Sequence, residues 1–311
     1  MFCSTIIPTV GRDTLARAVE SVLSQTLTAA GFEVIVVNDS GQPLSAAAWQ
    51  QAPHVQVIET YRRERSVARN TGAAVANGRF LHFLDDDDWL APDALQTLWE
   101  LAQTNSAAWL YGSTRLVDHD GRTLIQLHHQ LQGNCFLPAL AGEWIPLQAS
   151  LIDARAFFEL GGFNPLLSGP EDVDLLRRLA LHHDIAGTDT LIAFVEWRTA
   201  GSTTDYDYHP QQSRWAREQI LDEPGVFGRL RQSTCLQTGD QAGWYGRITR
   251  LYLTSLIWNV RRRRLLTAGS RAAHALFSLA LSGPRLFSAA FWQSVSRPYA
   301  SPAFARGQGE A

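Results

Sequence analysis

Phe80-Leu81-His82-Phe83-Leu84 runs directly into Asp85-Asp86-Asp87-Asp88, and Trp89 follows. The first five residues have the length and character of a buried strand. Four adjacent carboxylates repel one another, and the usual neutraliser is a hard divalent cation that shares its oxygen ligands with substrate phosphates. A strand that ends in acids places them at the carboxyl edge of a sheet, where open α/β folds bind ligands. The bland alternative is a solvated acidic turn ahead of a helix, since Pro92 and Asp93 suit a first turn.

Outward from this stretch, the first hundred residues alternate strand and helix signals, as βαβ units do. Cys3–Pro8, Phe32–Val37 and Val55–Glu59 read as strands. Leu15, Ala18, Val19, Val22 and Leu23 follow helical spacing, with Asp13 as the expected cap. Ser66–Asn77 reads as a helix closed by Gly78. Leu95, Leu98, Leu101 and Ala102 give the next helix its apolar face, ahead of a strand at Ala108–Gly112.

After residue 113 the rhythm changes. His119-Asp120-Gly121 between Arg115–Asp118 and Arg122–Leu127 is a hairpin signal. Ser150–Asp153 precedes a short helix that stops at Gly161-Gly162-Phe163. Glu171–His182 reads as a helix whose acids sit at its positive end, and Thr190–Trp197 is strand-like. The spacing thus predicts a parallel nucleotide-binding half, residues 1–112, and a mixed acceptor half, residues 113–205. Residues 206–246 read as a connecting segment.

At 311 residues with 45% hydrophobic content, the chain can bury a substantial core. Three widely spaced cysteines, Cys3, Cys135 and Cys235, offer neither a disulfide framework nor zinc spacing. No signal peptide is read at the start, so a cytoplasmic location is expected. All 27 basic residues are arginine, and the net charge is −3. That total conceals a balance of −12 over residues 1–246 and +9 over residues 247–311.

The motifs together resemble a family 2 glycosyltransferase of the inverting GT-A type. They are Ile6-Ile7-Pro8-Thr9-Val10-Gly11-Arg12, Val36-Val37-Asn38-Asp39-Ser40, Ser66-Val67-Ala68-Arg69-Asn70-Thr71-Gly72, Phe83–Asp88, Gly161-Gly162-Phe163 and Glu171-Asp172. The resemblance covers roughly residues 3–205. It implies an α/β GT-A nucleotide-diphospho-sugar transferase fold, with a mostly parallel central sheet flanked by helices. Thr9 would line the nucleotide pocket, Asp39 would accept a hydrogen bond from the donor's base, and Arg69 would lie near the diphosphate or its carboxylates.

Asp85 and Asp87 match the Asp-X-Asp pattern. The resemblance makes Asp87 the first metal ligand, with Asp85 or Asp88 assisting or holding the ribose, and Asp86 at the variable position. The metal would be Mg²⁺ or Mn²⁺, neutralising the nucleoside diphosphate as it leaves. Asp172 matches the general base, with Glu171 in support; the bland reading of this pair is a helix cap. Arg198 matches an arginine of the family, but the histidine that many relatives carry two residues later is Ala200 here. The Gln-X-X-Arg-Trp signature of processive synthases is absent, and Gln212-Ser213-Arg214-Trp215 has the wrong spacing.

The expected activity is non-processive transfer from a UDP- or dTDP-sugar to a hydroxyl of a glycan or lipid-linked acceptor. The alternatives are a nucleotidyltransferase, for which Pro8–Arg12 is a poor phosphate loop, and a non-catalytic nucleotide-sugar-binding or membrane-scaffolding protein. Residues 247–311 read as a basic amphipathic helical tail, with Arg261–Arg264 between apolar stretches and no uncharged run long enough to span a bilayer. Such a segment suits an anionic membrane surface, the alternative being a helical appendage packed on protein. Nucleic-acid binding is not expected, because no recognition motif accompanies the charge. On the membrane reading, a chain ended near residue 246 should be more soluble.

Overall fold

The computed structural model describes residues 1–62, 64–128, 131–167, 169–197, 210–234 and 241–297. In chain order the elements are β1 (Cys3–Thr9), α1 (Leu15–Leu23), β2 (Phe32–Asn38), β3 (Val55–Glu59), α2 (Arg65–Val75), β4 (Phe80–Phe83), β5 (Trp89–Leu90), α3 (Ala94–Thr104), β6 (Trp109–Val117), β7 (Thr123–Leu127), α4 (Phe136–Leu140), β8 (Ser150–Asp153), α5 (Ala154–Glu159), α6 (Glu171–His182) and β9 (Ile185–Glu196). Five helices follow: α7 (Pro210–Asp222), α8 (Val226–Arg231), α9 (Gln241–Arg261), α10 (Leu265–Ser282) and α11 (Ala289–Ser296).

The strands join in one sheet of order β3-β2-β1-β4-β8-β6-β9-β5, with β7 paired to β6. The β3-β2-β1-β4 part is wholly parallel. Beyond β4 the pairing is mixed, since β8 runs antiparallel to β4 and β6, whereas β6 and β9 are parallel. This is the change of rhythm that the sequence shows after residue 113.

The central strands are apolar on both faces because both are covered. Ile35 and Val37 belong to one buried cluster, Val34 and Val36 to the other. A strand clad on two sides reads as an unbroken hydrophobic run, which is why β2 shows no alternation.

Two local readings change. The N-cap of α1 is Thr14, without a side-chain capping bond, so Asp13 does not cap it. Gly78 does not close α2, which ends at Val75 with Ala76 as its C-cap. It lets the chain pass against β1 instead: a Cβ there would lie 2.5 Å from the Ser4 nitrogen, and the Gly78 N–H donates to Ser4 Oγ.

The tail is part of the body. Trp244, Ile248 and Tyr252 of α9 sit in the same buried cluster as Phe136, Leu175 and Leu179. The boundary drawn at residue 246 therefore falls inside a helix, and α10 and α11 pack on α9.

Candidate active site

β1, β2 and β4 end side by side in parallel, so Thr9, Asp39 and Asp85 emerge at one edge of the sheet. The acidic run begins there. Asp86 is its most enclosed member together with Asp88, each 2% exposed. Thr9 Oγ1 donates to Asp86 Oδ2 at 2.5 Å, and Arg12 Nη1 donates to Asp86 Oδ1. The residue at the variable position thus fastens the run to the end of β1. Asp87 lies 3.3 Å from the same Arg12 nitrogen.

Arg69 organises the centre. It lies on α2, 3% exposed, and Glu64 caps that helix through the N–H groups of Ser66 and Val67. Its Nη2 donates to Asp85 Oδ1 at 2.6 Å and its Nη1 to Glu171 Oε1 at 2.9 Å. One planar fork therefore joins the acidic run to the start of α6, a geometry that suits arginine and not lysine. Arg65 adds a second cation 3.5 Å from Glu171.

These charges set the protonation of their neighbours. Burial alone would push the Asp85 carboxyl up, but Arg69, Arg65 and Arg12 outweigh it and hold it below the usual carboxylate range. Asp88 goes the other way: burial, then the charges of Asp85 and Asp87, raise it well above that range. Burial, with Asp172 beside it, also raises Glu171 despite Arg69 and Arg65.

Asp172 opens α6, where Glu171, Asp172 and Asp174 in the first turn meet the helix's positive end. Its Oδ1 accepts from the Val173 N–H at 2.7 Å, and its Oδ2 accepts from the indole Nε1 of Trp144 at 2.9 Å. Asp39 is engaged locally: it accepts from Thr60 Oγ1 at 2.7 Å and from the N–H groups of Arg62 and Glu64. It thereby shapes the turn that delivers the Glu64 cap. The Asx turn at this corner belongs to Asn38, whose Oδ1 accepts from the Ser40 N–H. Arg198 and Ala200 lie outside the described residues.

Residues 4–158 match the model of Glycosyl transferase family 2. The chain belongs to that family. Its relatives include the succinoglycan biosynthesis protein ExoO of Rhizobium meliloti (strain 1021), 36% identical over 36% of this chain and 32% of that one. Another is the poly(ribitol-phosphate) beta-N-acetylglucosaminyltransferase TarP of Staphylococcus aureus (strain N315), 30% identical over 35% of each chain. The matched part spans about a third of the length of these relatives. Among solved structures, residues 1–349 of S. aureus TarS in complex with UDP-GlcNAc superpose with a TM-score of 0.61 at 14% identity, covering 87% of this chain and 90% of that one. The fold is the GT-A fold that the motifs imply.

Within this family 2 domain, several site residues carry no mark in the sequence. Gln148 donates from Nε2 to Asp85 Oδ2 at 3.0 Å, so Asp85 is held from both sides. The Glu196 N–H donates to Asp88 Oδ1 at 2.8 Å, which ties the run to the end of β9. Arg17 reaches Glu196 and stacks 4.0 Å from the Trp89 ring centroid, and that ring lies flat on Phe194. Among the described residues, no cluster of three or more His, Cys, Asp or Glu side chains is arranged to hold a metal by itself.

Proposed function

We propose that the chain is a non-processive, inverting glycosyltransferase that moves a sugar from a UDP- or dTDP-linked donor to a hydroxyl of a glycan or lipid-linked acceptor. One observation carries this reading: Arg69 bridges Asp85 and Glu171, which brings the acidic run and the start of α6 together at the carboxyl edge of the sheet. The solved TarS complexes with UDP-GlcNAc and UDP support a uridine donor.

On this reading Asp172 takes the proton from the acceptor hydroxyl as its oxygen attacks the anomeric carbon. The bond from that carbon to the diphosphate breaks on the opposite face, the proton ends on Asp172, and the nucleoside diphosphate departs. A positioned base of this kind contributes roughly 10²–10⁴-fold. The cation invoked is Mg²⁺ or Mn²⁺, which supplies charge neutralisation at the diphosphate. The donor set fits it. Asp87 is flanked by Asp85 and Asp88; burial first, and then the charges of Asp85 and Asp87, raise Asp88, and Mg²⁺ is commonly bound through one or two carboxylates plus substrate phosphates.

The arrangement also supports peripheral attachment to the cytoplasmic face of an anionic membrane. No helix among the described residues is long and apolar enough to cross one. Arg261–Arg264 are exposed at the turn between α9 and α10, beside Leu265 at 70% and Leu266 at 94% exposure.

Release of UDP or dTDP across a panel of nucleotide sugars, with and without Mn²⁺, tests the reading. Asp172→Asn keeps shape without basicity, so donor affinity should persist while turnover falls about 10²-fold or more. Turnover within a few-fold of the parent would move the base to Glu171, whereas no turnover of any nucleotide sugar by the parent would favour a non-catalytic binding protein. Asp87→Ala should abolish metal-dependent donor binding with the fold intact; calorimetry showing the same Mn²⁺-dependent UDP affinity as the parent would refute the metal assignment.

A further inference from the structure

The stretch Glu143–Gln148 is short, yet its polar side chains go to three separate places. Gln148 holds Asp85, as described above. Trp144 donates its indole N–H to Asp172 Oδ2 at 2.9 Å. Glu143 turns away from the site: its Oε1 accepts from Trp244 Nε1 at 2.9 Å and from Arg247 Nη2 at 2.7 Å, both on α9. Ile145, 1% exposed, pins the stretch to the core between these contacts.

We propose that Trp144 is a positioning residue for Asp172, and that α9 fixes it in place through the Glu143–Arg247–Trp244 contact. The proposal rests on reading Asp172 as the base. A carboxylate at a helix start can rotate about its side-chain bonds, and one oxygen here is already occupied by the adjacent Val173 N–H. The indole donor fixes the other, so the carboxylate plane is set before acceptor binds. A hydrogen bond to an ionised group is strong enough to hold such an orientation. Glu143 adjoins Trp144, so an ion pair that clamps Glu143 also limits where the indole can lie. Half of that clamp is Arg247, the first arginine of the basic tail. The tail thus contributes to the active site from beyond the family-matched segment, residues 4–158.

The test uses the full chain labelled with ¹⁵N at the indoles of its ten tryptophans. W144F identifies the Trp144 signal by its loss. D172N should move that signal, and R247Q should move it as well while leaving Trp49 in place. If the signal is unmoved in D172N, the contact is absent in solution and the proposal falls. If it moves in D172N but not in R247Q, the clamp through α9 falls.

In UDP release from UDP-GlcNAc and the other UDP-sugars of the panel, W144F should lower kcat roughly tenfold to a hundredfold with donor KM unchanged. R247Q should lower kcat in the same sense by less. A W144F enzyme with parental kcat, beside an inactive D172N, overturns the positioning role and leaves the base intact. An active D172N whose Trp144 signal still moves overturns the base and leaves the contact standing. Should W144F fail to fold, sequential backbone-to-side-chain assignment of the parent identifies the Trp144 signal, and D172N and R247Q decide, because both must shift it.

Discussion

His82 lies in the middle of β4 with none of its surface exposed. Its ring meets Thr5 Oγ1 at 3.1 Å and the Gln148 carbonyl at 2.9 Å, which suits a neutral ring that donates from Nε2 and accepts at Nδ1. Burial is the main cause that lowers it from 6.5 to about 4, against the Gln148 carbonyl, which favours the charged ring. Below the upper value the unfolded chain takes a proton that the folded chain refuses until about pH 4. This contribution to stability is therefore complete above about pH 6.5 and is lost as pH falls toward 4. The gap of about 2.5 pH units corresponds to about 3 kcal/mol in full, and to about 2 kcal/mol between pH 8 and pH 5. His82→Gln keeps an amide donor for the Gln148 carbonyl and cannot titrate. Urea unfolding, followed by fluorescence and circular dichroism at both pH values, should show the variant losing about 2 kcal/mol less than the parent on acidification. Equal losses in the two proteins would refute a buried neutral His82. They would also weaken the account of how Gln148, and through it Asp85, is held.

Arg69→Gln should destabilise the fold by about 3–5 kcal/mol, because it strands Asp85 and Glu171 in a buried setting; a loss below about 1 kcal/mol, read from urea midpoints, would mean water already screens the pair. Arg261–Arg264→Gln should weaken flotation with anionic vesicles by about 10²-fold or more at low salt, at about 1 kcal/mol per arginine. Unchanged flotation would leave the turn as a solvated surface.

The parallel half of the fold is legible because its signals are local. A buried strand declares itself in five residues, and Glu171–His182 begins and ends where its opening acids and closing histidines say. The strand read at Ala108–Gly112 extends to Val117, since β6 is paired along its length by β7, β8 and β9, a fact no local pattern carries. Site residues divide the same way. Asp85, Asp87 and Asp172 sit in motifs, whereas Arg17, Trp144 and Gln148 find their carboxylates 179, 28 and 63 residues away. A lone arginine, tryptophan or glutamine has many structural uses, and only tertiary packing selects one. Asp39 shows the converse: its motif position is plain, but the loop that it closes through Arg62 and Glu64 is visible only in the folded chain.

The basic tail illustrates how a charge count can merge two unlike roles. Arg247 pairs with Glu143, Arg250 donates to the Val295 carbonyl, Arg285 binds Gln241, and Arg271, 1% exposed, pairs with Glu218 and Asp222 on α7. These four arginines fasten the helices to the body and to one another. Arg261–Arg264 remain at the tip, two of them over the Trp258 ring. The aromatic residues divide likewise: Phe291 is buried and Phe277 packs on Phe227, while Phe287 and Trp292 are exposed. A chain ended near residue 246 would remove Ile248 and Tyr252 from the main core and Arg247 from Glu143. The structure therefore opposes the expectation of a more soluble truncated enzyme. Membrane contact has to be tested at the arginine turn, with α9 left whole, because the same helix braces the loop that reaches Asp172.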